Sequence, residues 1–147
     1  MKKLAFFLMC LFTMQVTMAD TDKPIVFEQL PQAAQTFVKK YFAGQNVAFS
    51  KVEREIFDTT YDVMFVNGDK IEFDKQGNWK EMNCKRSSVP VAAVPAQIVN
   101  YVKTNYPEAT IVRIEKDRYE YEVKLSNFWE LKFDLKFNLI DMDHDND

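Results

Sequence analysis

One stretch of the chain occurs twice in altered form, and this limits the available folds more than any other feature. Leu30-Pro31-Gln32-Ala33-Ala34 precedes Val94-Pro95-Ala96-Gln97-Ile98 by 64 positions, and Phe37-Val38-Lys39 precedes Tyr101-Val102-Lys103 by the same interval. Further on the interval is 60: Tyr61-Asp62-Val63 matches Tyr121-Glu122-Val123, and Ile71-Glu72-Phe73-Asp74 matches Leu131-Lys132-Phe133-Asp134. Two copies of one unit are expected, at about 24–86 and 88–143, joined by the short connector Lys85 to Ala93.

Each copy opens on a helical signature. Pro31 and Pro95 suit a first helical turn, where a missing N–H costs nothing. Ala34, Phe37, Val38, Tyr41 and Phe42 follow at three- and four-residue steps, as do Ile98, Tyr101, Val102 and Tyr106. Period-two segments come next. Tyr61-Val63-Phe65 alternates with Asp62-Met64-Val66, and Tyr121-Val123-Leu125 alternates with Glu120-Glu122-Lys124. These are strands with one dry face. Asn67-Gly68 is a strong hairpin signal, whereas Ser126-Asn127-Phe128 is a less ideal turn carrying an exposed aromatic. The expected fold is therefore α+β: a tandem repeat of a helix plus antiparallel strands, with the helices packed on one face of the sheet.

Residues 1–19 read as a secretory signal peptide. Lys2 and Lys3 precede the apolar run Leu4 to Phe12, and Thr17-Met18-Ala19 offers small residues at a cleavage point. Met9 stands where a lipid-modified Cys10 would need a small residue, so Cys10 is not a lipid site. Cleavage would take Lys2 and Lys3 and leave residues 20–147 with 17 basic and 22 acidic side chains, a net charge of −5. An acidic, exported domain without a second bilayer-length apolar run argues against nucleic acid as a partner and against a transmembrane segment. Cys84 is then the one remaining thiol, which excludes an internal disulfide and leaves it either buried or paired with another chain.

These features together resemble the PepSY-like family of exported proteins, whose fold looks like that of the β-lactamase-inhibitor protein. The likeness rests on Leu30-Pro31, Val94-Pro95, Ile71-Glu72-Phe73-Asp74-Lys75-Gln76-Gly77-Asn78-Trp79 and Trp129-Glu130-Leu131-Lys132-Phe133-Asp134. In the second copy Phe137-Asn138 stands where the first has Gly77-Asn78. Members of the family mostly lack an assigned activity. Relatives by fold present a concave sheet face to another protein, which implies binding by analogy, since fold does not fix function.

Several chemistries are missing. His144, the single histidine, lies in the acidic end Asp141 to Asp147, so Ser–His–Asp and Cys–His nucleophile sets have no base. Cys84 and His144 supply at most two zinc ligands, and three glycines cannot build a phosphate loop. Asp141, Asp143 and Asp145 are spaced like the start of a calcium loop but lack its turn glycine and closing glutamate, so a solvated tail is expected. No catalytic residue, metal site or cofactor is assigned.

What remains is the polar face of the sheet. Strand parity places Met64, Glu72, Asp74, Glu120, Glu122, Lys124, Lys132, Asp134 and Lys136 away from the helices, with Phe128 exposed at its turn. Trp79 and Trp129 share parity with the dry face. The expected function is a non-enzymatic exported binding module, protein-binding or inhibitor-like, that engages another envelope protein through this face. The alternative is a carrier holding a small apolar ligand or lipid between helices and sheet.

Overall fold

A computed structural model describes residues 22–145. The predicted signal peptide lies outside the described residues. Among the described residues nine strands form one antiparallel sheet in which spatial order equals sequence order. They are β1 Lys23–Ile25, β2 Val47–Arg54, β3 Thr59–Phe65, β4 Lys70–Phe73, β5 Trp79–Asn83, β6 Ile111–Lys116, β7 Glu120–Leu125, β8 Trp129–Asp134 and β9 Leu139–His144. Two ten-residue helices interrupt the meander, α1 Gln32–Tyr41 between β1 and β2, and α2 Ala96–Asn105 between β5 and β6.

This corrects the expected tandem of helix-plus-strand units with helices laid on a sheet face. The fold is dominated by one uninterrupted sheet, and the helices are a minor component. The physical reason lies at the presumed boundary. β5 and β6 pair directly, with Glu81 opposite Glu115, Met82 opposite Ile114 and Asn83 opposite Arg113. The backbone ladder therefore runs on across the connector, and Cys84 N–H extends it by donating to the Val112 carbonyl at 2.7 Å. Period-two patterning, sustained through eight strand pairings, outweighs two short helical stripes.

The core follows strand parity. Val63, Ile71, Met82, Ile114, Val123 and Leu131 are wholly buried along a single face. Ala34, Val38, Ile98 and Val102 of the helices join the same cluster. Phe37 meets Phe73 edge-on at 5.8 Å, and Tyr101 meets Phe133 in the same way at 5.3 Å. Trp79 and Trp129 are half-buried against this core, as their parity predicted. β2 ends at Arg54. Ile56 and Phe57 occupy the β2–β3 hairpin, where Phe57 is fully exposed.

Two hairpins share one hydrogen-bond scheme. Asp74 Oδ1 accepts from the Gln76 and Asn78 N–H groups, and Asp134 Oδ1 accepts from those of Lys136 and Asn138, all at 2.9 Å. Gly77 takes φ +88° in the first loop; Phe137 takes φ +66° in the second, with its ring stacked on Tyr121 at 5.4 Å. That aromatic contact offsets the strain of a left-handed non-glycine residue. Gly77 has a further constraint, since a Cβ there would lie 2.8 Å from Ala34 N and 2.9 Å from Pro31 Cβ.

Candidate functional site: the charged face of the sheet

The face opposite the core carries ionisable side chains in cross-strand rows. In the central row Lys51 lies opposite Asp62, Asp62 opposite Glu72, and Glu72 opposite Glu81. The row continues through Glu115 and Glu122 to Lys132 and Asp141. Five carboxylates thus stand side by side across β3 to β7, bounded by a lysine at each end. The adjacent row runs through Met64, Lys70, Asn83, Arg113, Lys124, Glu130 and Asp143.

Like charges placed directly opposite one another destabilise a sheet. Cations of the second row offset this. Arg113 reaches Glu81 at 3.0 Å and Glu122 at 3.4 Å, and also pairs with Glu115. Burial acts to lower the Arg113 pKa, but the Glu81 hydrogen bond and the three carboxylates raise it above its ordinary value. Asp62, 4% exposed, holds Lys51 at 3.5 Å and Lys70 at 3.3 Å through Oδ2. Burial, and then the charge of Asp62, push the Glu72 carboxyl up, against the pull of Lys80 and Lys70. Lys80 lies in the β4–β5 irregularity and bridges Glu72 at 3.5 Å to Asp58 at 3.6 Å.

The structure brings together Met64, Glu72, Glu120, Glu122, Lys124 and Lys132, all half-buried on this face, with Lys132 3.8 Å from Glu120. The other expected residues sit elsewhere or are otherwise engaged. Asp74 and Asp134 turn into their own hairpins. The backbone and side-chain hydrogen bonds from Asn138 hold the Asp134 carboxyl below its ordinary range. Lys136 is exposed at the β8–β9 turn. Phe128, at φ +70° and 54% exposed, stands at the β7–β8 turn, the opposite end of the sheet from those hairpins. Sequence reasoning missed Asp62, Glu81, Arg113 and Glu115. Asp62 shares the strand parity of Met64, two positions on, whereas β5 and β6 carry none of the residues that were found.

Other features of the described residues are less suited to a ligand. An apolar recess beside α2, lined by Val89, Val91, Val99, Val102, Pro107 and Ile111, measures about 200 Å³. That is below the usual volume of a small-molecule site. Cys84 is fully buried, and burial, followed by the charge of Asp69, pushes its thiol up to about 12. Asp141 and Asp143 lie in strand β9 rather than in a loop. No group of three or more His, Cys, Asp or Glu side chains among the described residues could hold a metal ion.

This sheet defines a known class. The family model described as "Putative beta-lactamase-inhibitor-like, PepSY-like" matches residues 59–141, and the chain belongs to that family. Solved structures from Bacteroides resemble it over nearly their whole length. A protein from Bacteroides thetaiotaomicron described as a putative calcium-regulated periplasmic protein is 57% identical, with a TM-score of 0.82, covering 84% of this chain and 97% of that one. A putative periplasmic protein of the DUF2874 family from Bacteroides vulgatus is 60% identical, with a TM-score of 0.83, covering 86% and 99%. A further periplasmic protein of unknown function from Bacteroides vulgatus is 35% identical, with a TM-score of 0.78, covering 83% and 98%. Comparison with curated proteins gave no match. The protein is exported, as the sequence led us to expect, and its solved relatives are described as periplasmic. No helix among the described residues is long and apolar enough to cross a membrane.

Proposed function

We propose that this protein is a non-enzymatic periplasmic binding module that takes another envelope protein on the charged face of its sheet. The observation that carries this reading is the row Asp62, Glu72, Glu81, Glu115 and Glu122. Folding alone does not favour five adjacent carboxylates, and local conflicts of this kind concentrate at functional sites. Arg113, Lys70 and Lys80 hold the carboxylates in fixed positions, so a partner meets a preorganised pattern of charge. A partner surface with a basic centre is complementary to it.

A non-enzymatic role is supported by the chemistry at hand. His144 lies on an edge strand, and the raised carboxyl of Glu72 is paired with Lys80 rather than poised in a closed cleft. The carrier reading is less favoured, because the space beneath the sheet is filled by side chains such as Val63, Ile71, Ile98 and Leu131, each wholly buried.

The test is affinity capture from periplasmic extract by the wild type and by the triple reversal E72K/E122K/K132E. A bound protein that the wild type retains and the folded triple variant loses supports the reading. Equal retention by both overturns it.

A further inference from the structure

The two edges of the sheet differ. β1 has three residues, whereas β9 has six and, among the described residues, pairs on one side only, with β8. The Asp145 N–H donates inward to the Phe128 carbonyl at 2.9 Å, so strand alternation turns the N–H groups of Met142 and His144 outward. Each of those outward groups donates to the preceding aspartate: Met142 N–H to Asp141 Oδ1 and His144 N–H to Asp143 Oδ1, both at 2.9 Å. Asp141 and Asp143 also end the two charged rows of the open face, opposite Lys132 and Glu130. Ile140 and Met142 are 53% and 45% exposed along the same strand.

From this geometry we infer that β9 accepts an extended basic strand from the partner protein, which joins the sheet as its tenth strand. Lysine or arginine at alternate positions of that strand draws the Asp141 and Asp143 carboxylates off the backbone. The N–H groups of Met142 and His144 then donate to carbonyls of the incoming strand, and its apolar alternates lie beside Met142. A second copy of β9 is disfavoured as the occupant, because it would set aspartate against aspartate. The inference rests on the protein-binding reading above and adds the chemistry of the bound segment.

The probes are two synthetic peptides, one alternating lysine with valine and one alternating glutamate with valine, read by amide hydrogen exchange on the mature protein. The lysine peptide should slow exchange at Met142 and His144 about tenfold or more, and the glutamate peptide should leave both unchanged. Met142→Pro removes one outward donor and no bond to β8, as an edge strand tolerates. It should weaken lysine-peptide binding about tenfold. Absence of protection at Met142 and His144 overturns the inference, as does full-strength binding by a folded M142P protein. Should M142P fail to fold, wild-type exchange decides alone. Partner capture that is lost in E72K/E122K/K132E but unchanged in M142P would sink the edge site while leaving the sheet-face reading intact.

Discussion

Arg113 Nε donates to Glu81 Oε1 at 3.0 Å, diagonally across the β5–β6 pair that joins the two halves of the sheet. The guanidinium is about one-quarter exposed and is the cation that three carboxylates of the central row share. Replacing it with alanine removes the cation that Glu81, Glu115 and Glu122 share. Arg113→Ala should cost about 2 kcal/mol in urea unfolding at pH 7, below the full cost of opening a buried pair because water still reaches the site.

Glu72 gives a pH prediction of definite sign. Its folded-state carboxyl is raised, so the native protein binds this proton more tightly than the unfolded chain does. Stability therefore falls as pH rises from the ordinary glutamate range through the raised value. Glu72→Gln removes that penalty. Thermal unfolding should show the variant higher than wild type at pH 7, by about 1–3 °C, and level with it below about pH 4.

Gly77 should be intolerant of substitution for two independent reasons, its φ of +88° and the approach of Ala34 N to within 2.8 Å of an added Cβ. Gly77→Ala is expected to lose about 2 kcal/mol or more in chemical unfolding. Gly68 has φ +91° but nothing within 4 Å, so Gly68→Ala should lose about 1 kcal/mol, from conformation alone.

Strand parity was legible in the sequence, and with it the dry core and part of the charged face. Val63, Ile71, Val123 and Leu131 fall where alternation puts them. The register between the halves was not legible. The repeated segments suggested two units side by side in one domain, and nothing in local patterning reveals that Glu81 will lie opposite Glu115 across a connector and a helix. The roles of Asp74 and Asp134 were also hidden. Alternation gives the side of a strand, whereas a carboxylate at or just past the strand end can fold back to cap a turn, as both do. Phe137 was read as a departure from the glycine pattern, and the structure shows the same turn held by an aromatic stack instead.

Cys84 should be chemically silent in the native state. It is fully buried, and its thiol is pushed up to about 12. A thiol reagent at pH 8 should label Cys84 negligibly in the folded protein and fully on unfolding in guanidinium. Rapid native labelling would show that the β5–α2 connector opens.

Carboxyl footprinting of the complex with a captured partner tests the binding face most directly. Carbodiimide labelling should fall severalfold at Glu72, Glu115 and Glu122 on partner binding, while exposed Glu28 and Glu108, away from the face, remain labelled as before. Unchanged labelling at those three residues, with protection at Glu28 or Glu108 instead, would contradict the account.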